Sequence, residues 1–323
     1  MTPGNPFPKS PASNTRRVSK RGDWIFFGIL FLATLAIIGL LVGLVAVLVY
    51  GSRESIQQLG FSYITGRVWN PEFGVYGLLP AMVGTLVVTA IAMIFAVPLG
   101  IGAAIFLTQQ APAWLRAPVG QLIELLAAIP SIIYGFWGLI VLVPIMRLDV
   151  EPRLAKYLGW TGLFTGTPIG LDILTASLVL SVMAIPTITA ISRDSIAAVP
   201  RSQKEAALAI GATDWEVTRR AVIPYARSGI IAGAVLGLGR ALGETMAVLL
   251  VIGNRTVIPS SLFSQGQTIP SLIANVFFEA ATSLEVPALL EAGLMLLLIT
   301  LAINIGARLV LSRFQVGRGA AAE

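Results

Sequence analysis

The sequence contains no cysteine and no histidine. Their absence excludes disulfides, thiolate nucleophiles and the usual zinc sites. No Gly-Lys dipeptide occurs, so there is no Walker A loop, and any ATP that drives this chain binds elsewhere. Charge is scarce: 12% of the 323 residues are charged and 56% are hydrophobic, with a mean hydropathy of +0.84. A soluble globular domain does not carry that balance. The composition is that of an all-α polytopic membrane protein.

Residues 1–22 are rich in Pro, Ser and Asn with scattered basic residues, and they read as a disordered cytoplasmic tail. Residues 24–50 then run without a charge, which is longer than a signal-peptide core, with Trp24 and Tyr50 as interfacial anchors. Further apolar stretches at about 78–107, 121–145, 173–192, 228–252 and 286–311 complete six expected spans, and 315–323 forms a short C-terminal tail. Six crossings put both termini on one side. Fifteen of the 22 Lys and Arg fall on the terminal and even-numbered connecting segments, counting the C-terminal end from Arg308, six fall on the opposite loops, and Arg240 lies deep inside a span. The positive-inside rule then makes both termini cytoplasmic. The net charge of +6 is therefore a topology signal, and nucleic acid is not an expected partner. Membrane lipid is.

The segment 200–224, PRSQKEAALAIGATDWEVTRRAVIP, is a charged interruption between apolar stretches. Ser202 with Glu205, and Thr213 with Glu216, each have the spacing of a capping box. Gly211 stands where a first helix should end in a left-handed residue, and Pro224 where a second should close. Two short helices with a tight corner are expected. Neither is long or apolar enough to cross a bilayer.

Glu205-Ala206-Ala207, with Gly211 four residues on and Ile223-Pro224 beyond, resembles the EAA motif of ABC-importer permease subunits. The resemblance implies a type I importer permease whose cytoplasmic coupling helices dock on an ATPase subunit through Glu205, Ala206, Ala207, Gly211 and Pro224.

Arg240 and Glu244 stand four residues apart in the fifth expected span, a spacing that lets them pair on one helix face. A charge near the bilayer centre costs about 2.5–3.5 kcal/mol on insertion scales, so both should face the bundle or a polar path. They either fix the bundle or meet a polar substrate. Gly229, Gly233, Gly237 and Ala241 recur every four residues, a face on which another helix can approach closely. Pro98, Pro130 and Pro186 lie within expected spans and should bend them. Ser131, Thr187 and Thr245 are further candidates for lining a path. The external segments carry Tyr63, Trp69, Tyr76, Tyr157 and Trp160, a surface that could receive a binding protein, and 268–281 reads as an interfacial or re-entrant helix.

The string 237–248, GLGRALGETMAV, is similar to the C-type permease family of phosphate-specific ABC importers. That resemblance implies a subunit that is not itself an enzyme. It would pair with an A-type permease as a heterodimer and couple to two ATPase subunits that hold ATP and Mg, no cofactor being bound by this chain. A periplasmic or external phosphate-binding protein would feed it. Arg240, Glu244 and Thr245 would line the substrate path. Permeases for molybdate or sulfate, and secondary carriers, are the alternatives.

Overall fold

The computed structural model describes residues 20–280 and 282–315. Most of the tails expected at 1–22 and 315–323 lies outside them, although the first helix already takes in Lys20. The chain divides into two units at Val47 and Leu48. The first unit is the greater part of α1 (Lys20–Gly51), an uninterrupted apolar helix.

In the second unit α2 (Arg53–Leu59) and α3 (Phe61–Thr65) lead into a two-stranded antiparallel ribbon, β1 (Trp69–Asn70) and β2 (Val75–Tyr76). Then come α4 (Leu79–Ile105), α5 (Ala113–Ala128), α6 (Ser131–Trp137), α7 (Val143–Ile145) and α8 (Glu151–Leu158). They are followed by α9 (Ile173–Ala197), α10 (Arg201–Ala209), α11 (Asp214–Val217), α12 (Ile223–Leu242), α13 (Met246–Val251), α14 (Ile269–Val276) and α15 (Glu285–Gln315). Among the described residues, six helical runs are long and apolar enough to cross a membrane: Trp24–Leu59, Leu79–Gln110, Ser131–Thr161, Ile173–Ala197, Asp214–Leu242 and Glu285–Leu309.

The third and fifth runs begin elsewhere than expected, and prolines explain both starts. The third span begins at Ser131, not 121, because Ile129 and Pro130 are extended and part α5 from α6. Pro98 and Pro186, by contrast, sit inside α4 and α9 without ending them. The fifth span begins at Asp214, not 228, because Pro224 does not close a helix. A proline ring clashes with the carbonyl four residues back. For Pro224 that residue is Arg220, which lies in a widened π-helical turn, Thr218–Val222. The same holds for Pro144 after Gly138–Leu142 and Pro152 after Met146–Val150. The wider turn makes room for the ring and lets the helix continue. This also carries helix through 146–158, where a loop was expected.

The hub of the second unit is α9. Within its spanning window 72% of residues are buried, against 22–28% in the other spans of this unit. Several of its buried or half-buried hydroxyls bond back to their own helix: Ser177 Oγ to the Ile173 carbonyl (2.7 Å), Thr189 Oγ1 to that of Ile185 (2.8 Å) and Ser195 Oγ to that of Ile191 (2.8 Å). Satisfied internally, they can be buried without a partner on another helix. On one side α4 packs through Val88, Ala92 and Ala96. On another side α12 packs through the expected small-residue face: a Cβ at Gly237 would stand 2.7 Å from Ile188 Cγ1, and one at Gly233 3.2 Å from Ile191 Cβ. At Gly229 it would overlap the Ser195 side chain.

The aromatic external surface is partly internal. Tyr63 and Tyr76 are buried, and both set their rings edge-on to Trp69, at 6.5 and 5.1 Å between centroids. The Tyr63 hydroxyl donates to the Ala288 carbonyl at 2.6 Å, tying this cluster to α15. Only Tyr157 and Trp160 of the five are exposed. The stretch 268–281 contains α14, which is buried over its first turn and half-buried or exposed beyond it. Ile269, Pro270, Ser271 and Leu272 are buried, a Thr268–Ser271 box caps the helix, and the Ile269 amide donates to Thr85 Oγ1 on α4. Its end at Ala281 lies outside the described residues. Asp172 caps α9 by accepting from the Thr175 amide at 2.8 Å, and its burial pushes the carboxyl above the usual carboxylate range.

Candidate functional site

The connector forms as a helix, a corner and a second helix. Of the two expected capping boxes only one exists. Thr213 Oγ1 accepts from the Glu216 amide while the Glu216 carboxylate accepts from the Thr213 amide. Ser202 caps nothing, since Pro200 stands at the N-cap of α10 and no side chain caps that helix. The pyrrolidine fixes the turn instead, two residues ahead of the expected cap. Gly211 has φ +86°, the left-handed corner expected of it, and its amide closes on the Leu208 carbonyl at 2.9 Å. Lys204 Nζ donates to Gln109 Oε1 at 3.2 Å and so ties α10 to the end of the second span.

A groove of about 510 Å³ runs between α10 and the following helix, lined by Gln203, Ala206, Ala207, Ile210, Arg220 and Pro224. The structure thus brings Ala206, Ala207 and Pro224 of the expected coupling set together. Glu205 is exposed and Gly211 forms the corner; neither lines the groove. Ile210 (87% exposed) and Trp215 (55%) stand out beside it, apolar knobs on an otherwise charged connector. Because Pro224 is passed over, α11 and α12 make one helix from the Thr213 cap to Leu242. At 1.5 Å per residue it is roughly 40 Å long, a rigid connection between the corner and Arg240.

The expected Arg240–Glu244 pair is not formed. The fifth span is not continuous to 252: α12 ends at Leu242, and Gly243 to Thr245 separate it from α13. That break rotates the two residues out of the i, i+4 relation that pairing requires. Arg240 lies in the last turn of α12, where the carbonyl end of the helix dipole favours a cation. Its Nη1 donates to Thr187 Oγ1 on α9 at 3.1 Å, beside Pro186. Glu244 turns to the next helix and accepts from the Ala247 amide at 3.3 Å, at the end of α13 that favours an anion. Thr245 Oγ1 donates to the Gly243 carbonyl at 3.2 Å within the break. Arg240 and Thr187 are thus brought together, Glu244 and Thr245 form the break, and Ser131 bonds to none of them.

On its other side Arg240 borders a cavity of about 760 Å³ between α12 and α15. A guanidinium held at one nitrogen and open to a cavity can bind an oxyanion through its remaining N–H groups. That α15 shares this cavity is not legible in the sequence, because nothing in the spacing along one helix tells which helix it faces.

Residues 96–316 match the family of binding-protein-dependent transport system inner membrane components. The chain is 47% identical over 284 residues to the phosphate transport system permease protein PstC of Pasteurella multocida, a match covering 87% of this chain and 88% of that protein. It is 46% identical over 302 residues to the protein of the same name from Mesorhizobium japonicum, covering 92% of each. The protein named PstC 2 from Mycobacterium tuberculosis is 43% identical over 241 residues, covering 73% of this chain and 74% of its own. Among solved structures, a bacterial ABC transporter involved in alginate import superposes with a TM-score of 0.58 at 18% identity, over 91% of this chain and 96% of that one. An inward-facing form of the MetNI methionine ABC transporter gives 0.57 at 18%, over 76% and 99%. At that identity the two structures speak for the fold alone. The chain belongs to the binding-protein-dependent transport system inner membrane component family, as a multi-pass ABC-importer permease subunit of the PstC group.

Proposed function

We propose that this chain is the permease subunit of an ATP-driven inorganic phosphate importer, pairing with an A-type permease and docking on two ATPase subunits that hold ATP and Mg. Its termini and the 200–224 connector face the cytoplasm, and an external phosphate-binding protein delivers the anion at the opposite face. The observation that carries this reading is the Arg240 guanidinium at the end of α12, tethered to Thr187 and open to a cavity. The 47% identity to a phosphate transport permease supplies the anion's identity.

The mechanism is alternating access. Closure of the ATPase pair moves the groove lined by Ala206, Ala207 and Pro224. The unbroken helix from Asp214 to Leu242 carries that motion to Arg240 without an intervening hinge. ATP binding drives the change only through its preference for one arrangement. Arg240 holds the anion by charge-assisted hydrogen bonds. Glu244, spent on α13, leaves that guanidinium uncompensated and ready for an anion.

The test is uptake of labelled phosphate by a bacterial strain lacking its own importer and supplied with this chain and its partner subunits. Uptake that requires this chain and resists excess sulfate and molybdate is expected; competition by either anion, or no uptake, overturns the reading. The coupling half has its own variant. Gly211→Val forces a β-branched residue to φ +86°, at roughly 1–2 kcal/mol of local strain. The complex should still assemble and hydrolyse ATP while uptake is lost, and undiminished uptake would remove the corner from the mechanism.

A further inference from the structure

The cavity beside Arg240 has a second wall. On α15 it is lined by Leu301, Asn304, Ile305 and Arg308, a 3-1-3 spacing that places all four on one helix face. Asn304 and Arg308 have no hydrogen-bond or ion-pair partner among the described residues. Asn304 lies inside the candidate span Glu285–Leu309, where an amide ordinarily bonds to a neighbouring helix, and Arg308 stands one residue from the end of that span. No carboxylate lines the cavity. Two guanidinium groups and one amide therefore share a space whose other walls are apolar, and its field favours an anion.

We propose that Asn304 and Arg308 form a second station for the transported oxyanion, which passes to them from Arg240 through this one cavity. The proposal rests on the reading of the chain as a phosphate permease and adds residues to the path. Asn304 and Arg308 are one helical turn apart, about 6 Å along the axis, so both can reach one tetrahedral anion. Arg308 offers a planar fork of N–H donors to two phosphate oxygens, and the Asn304 amide donates to a third. Arg308 lies toward the C-terminal end of α15 from Asn304, so the anion has a stepping point before leaving the span. Several weak stations let an ion enter and still depart, whereas one tight site would trap it.

The experiment is phosphate uptake by the complete importer carrying Arg308→Gln, Arg308→Lys or Asn304→Leu, with assembly measured on the same membranes. Loss of one charge-assisted contact should lower uptake about tenfold or more in Arg308→Gln and several-fold in Asn304→Leu, with assembly unchanged. Arg308→Lys keeps the charge without the fork and should recover only part of the loss. Full recovery by lysine would make Arg308 a topology anchor and overturn its role as a ligand. Wild-type uptake in Asn304→Leu would remove Asn304 from the path. Should Arg308→Gln fail to assemble, the lysine and leucine variants, which keep the charge count, decide the matter. A wild-type complex that imports no phosphate would instead defeat the function reading, and the variants would then be scored on the anion it does import.

Discussion

The helix α12 has two unlike faces. One is a closed seam, where Gly229, Gly233 and Gly237 lie against Ser195, Ile191 and Ile188 of α9 with no room for a side chain. The other is open, a cavity between Arg240 and the Asn304 and Arg308 wall of α15. The seam is held by close contact; the open face leaves Asn304 and Arg308 without a hydrogen-bond or ion-pair partner among the described residues. One rigid helix can therefore be anchored firmly and still present a charge to a passing ion. Arg240 stands at their border: three residues after Gly237 it shares the glycine stripe and reaches Thr187 on α9, yet it also edges the cavity lined by Ala232, Val235, Leu236 and Gly239.

Breaking the seam should have the largest effect. Gly229→Leu places a branched side chain where even a Cβ overlaps Ser195, and overpacking of that kind costs about 1–3 kcal/mol or more. Loss of the assembled complex is expected, as judged by copurification with the ATPase subunit; a stable complex would show that the helices can part here. Arg240→Gln strikes the open face. It should abolish uptake and leave assembly intact, and failed assembly would make Arg240 a packing residue. Thr187→Val joins the two faces, since Thr187 sits on α9 yet tethers Arg240 at 3.1 Å. A lost hydrogen bond to a charged group is worth about 1.5–3 kcal/mol, so a fall in uptake rate of about tenfold or more is expected. Uptake equal to wild type would mean that Arg240 needs no tether.

Much of this was legible along the chain. The Thr213–Glu216 box, the Gly211 corner and the four-residue spacing of small residues are local patterns, and local hydrogen bonds and helix geometry decide them. Prolines were visible but their outcomes were not. Pro130 ends a helix, Pro98 and Pro186 are absorbed, and Pro224 is bypassed by a widened turn. The Arg240–Glu244 pair had the right spacing for a helix that turned out to break between them.

Composition and periodicity by themselves determined that the chain crosses a membrane, that no thiol or imidazole chemistry resides in it, and where the charged connector falls. These depend on transfer free energies and on neighbours in sequence. Which partner Arg240 takes, which aromatics turn inward and which helix supplies the far wall of the cavity were decided by tertiary structure alone. A side chain's neighbour across a helix interface depends on the crossing of two axes, and no spacing within one helix encodes that.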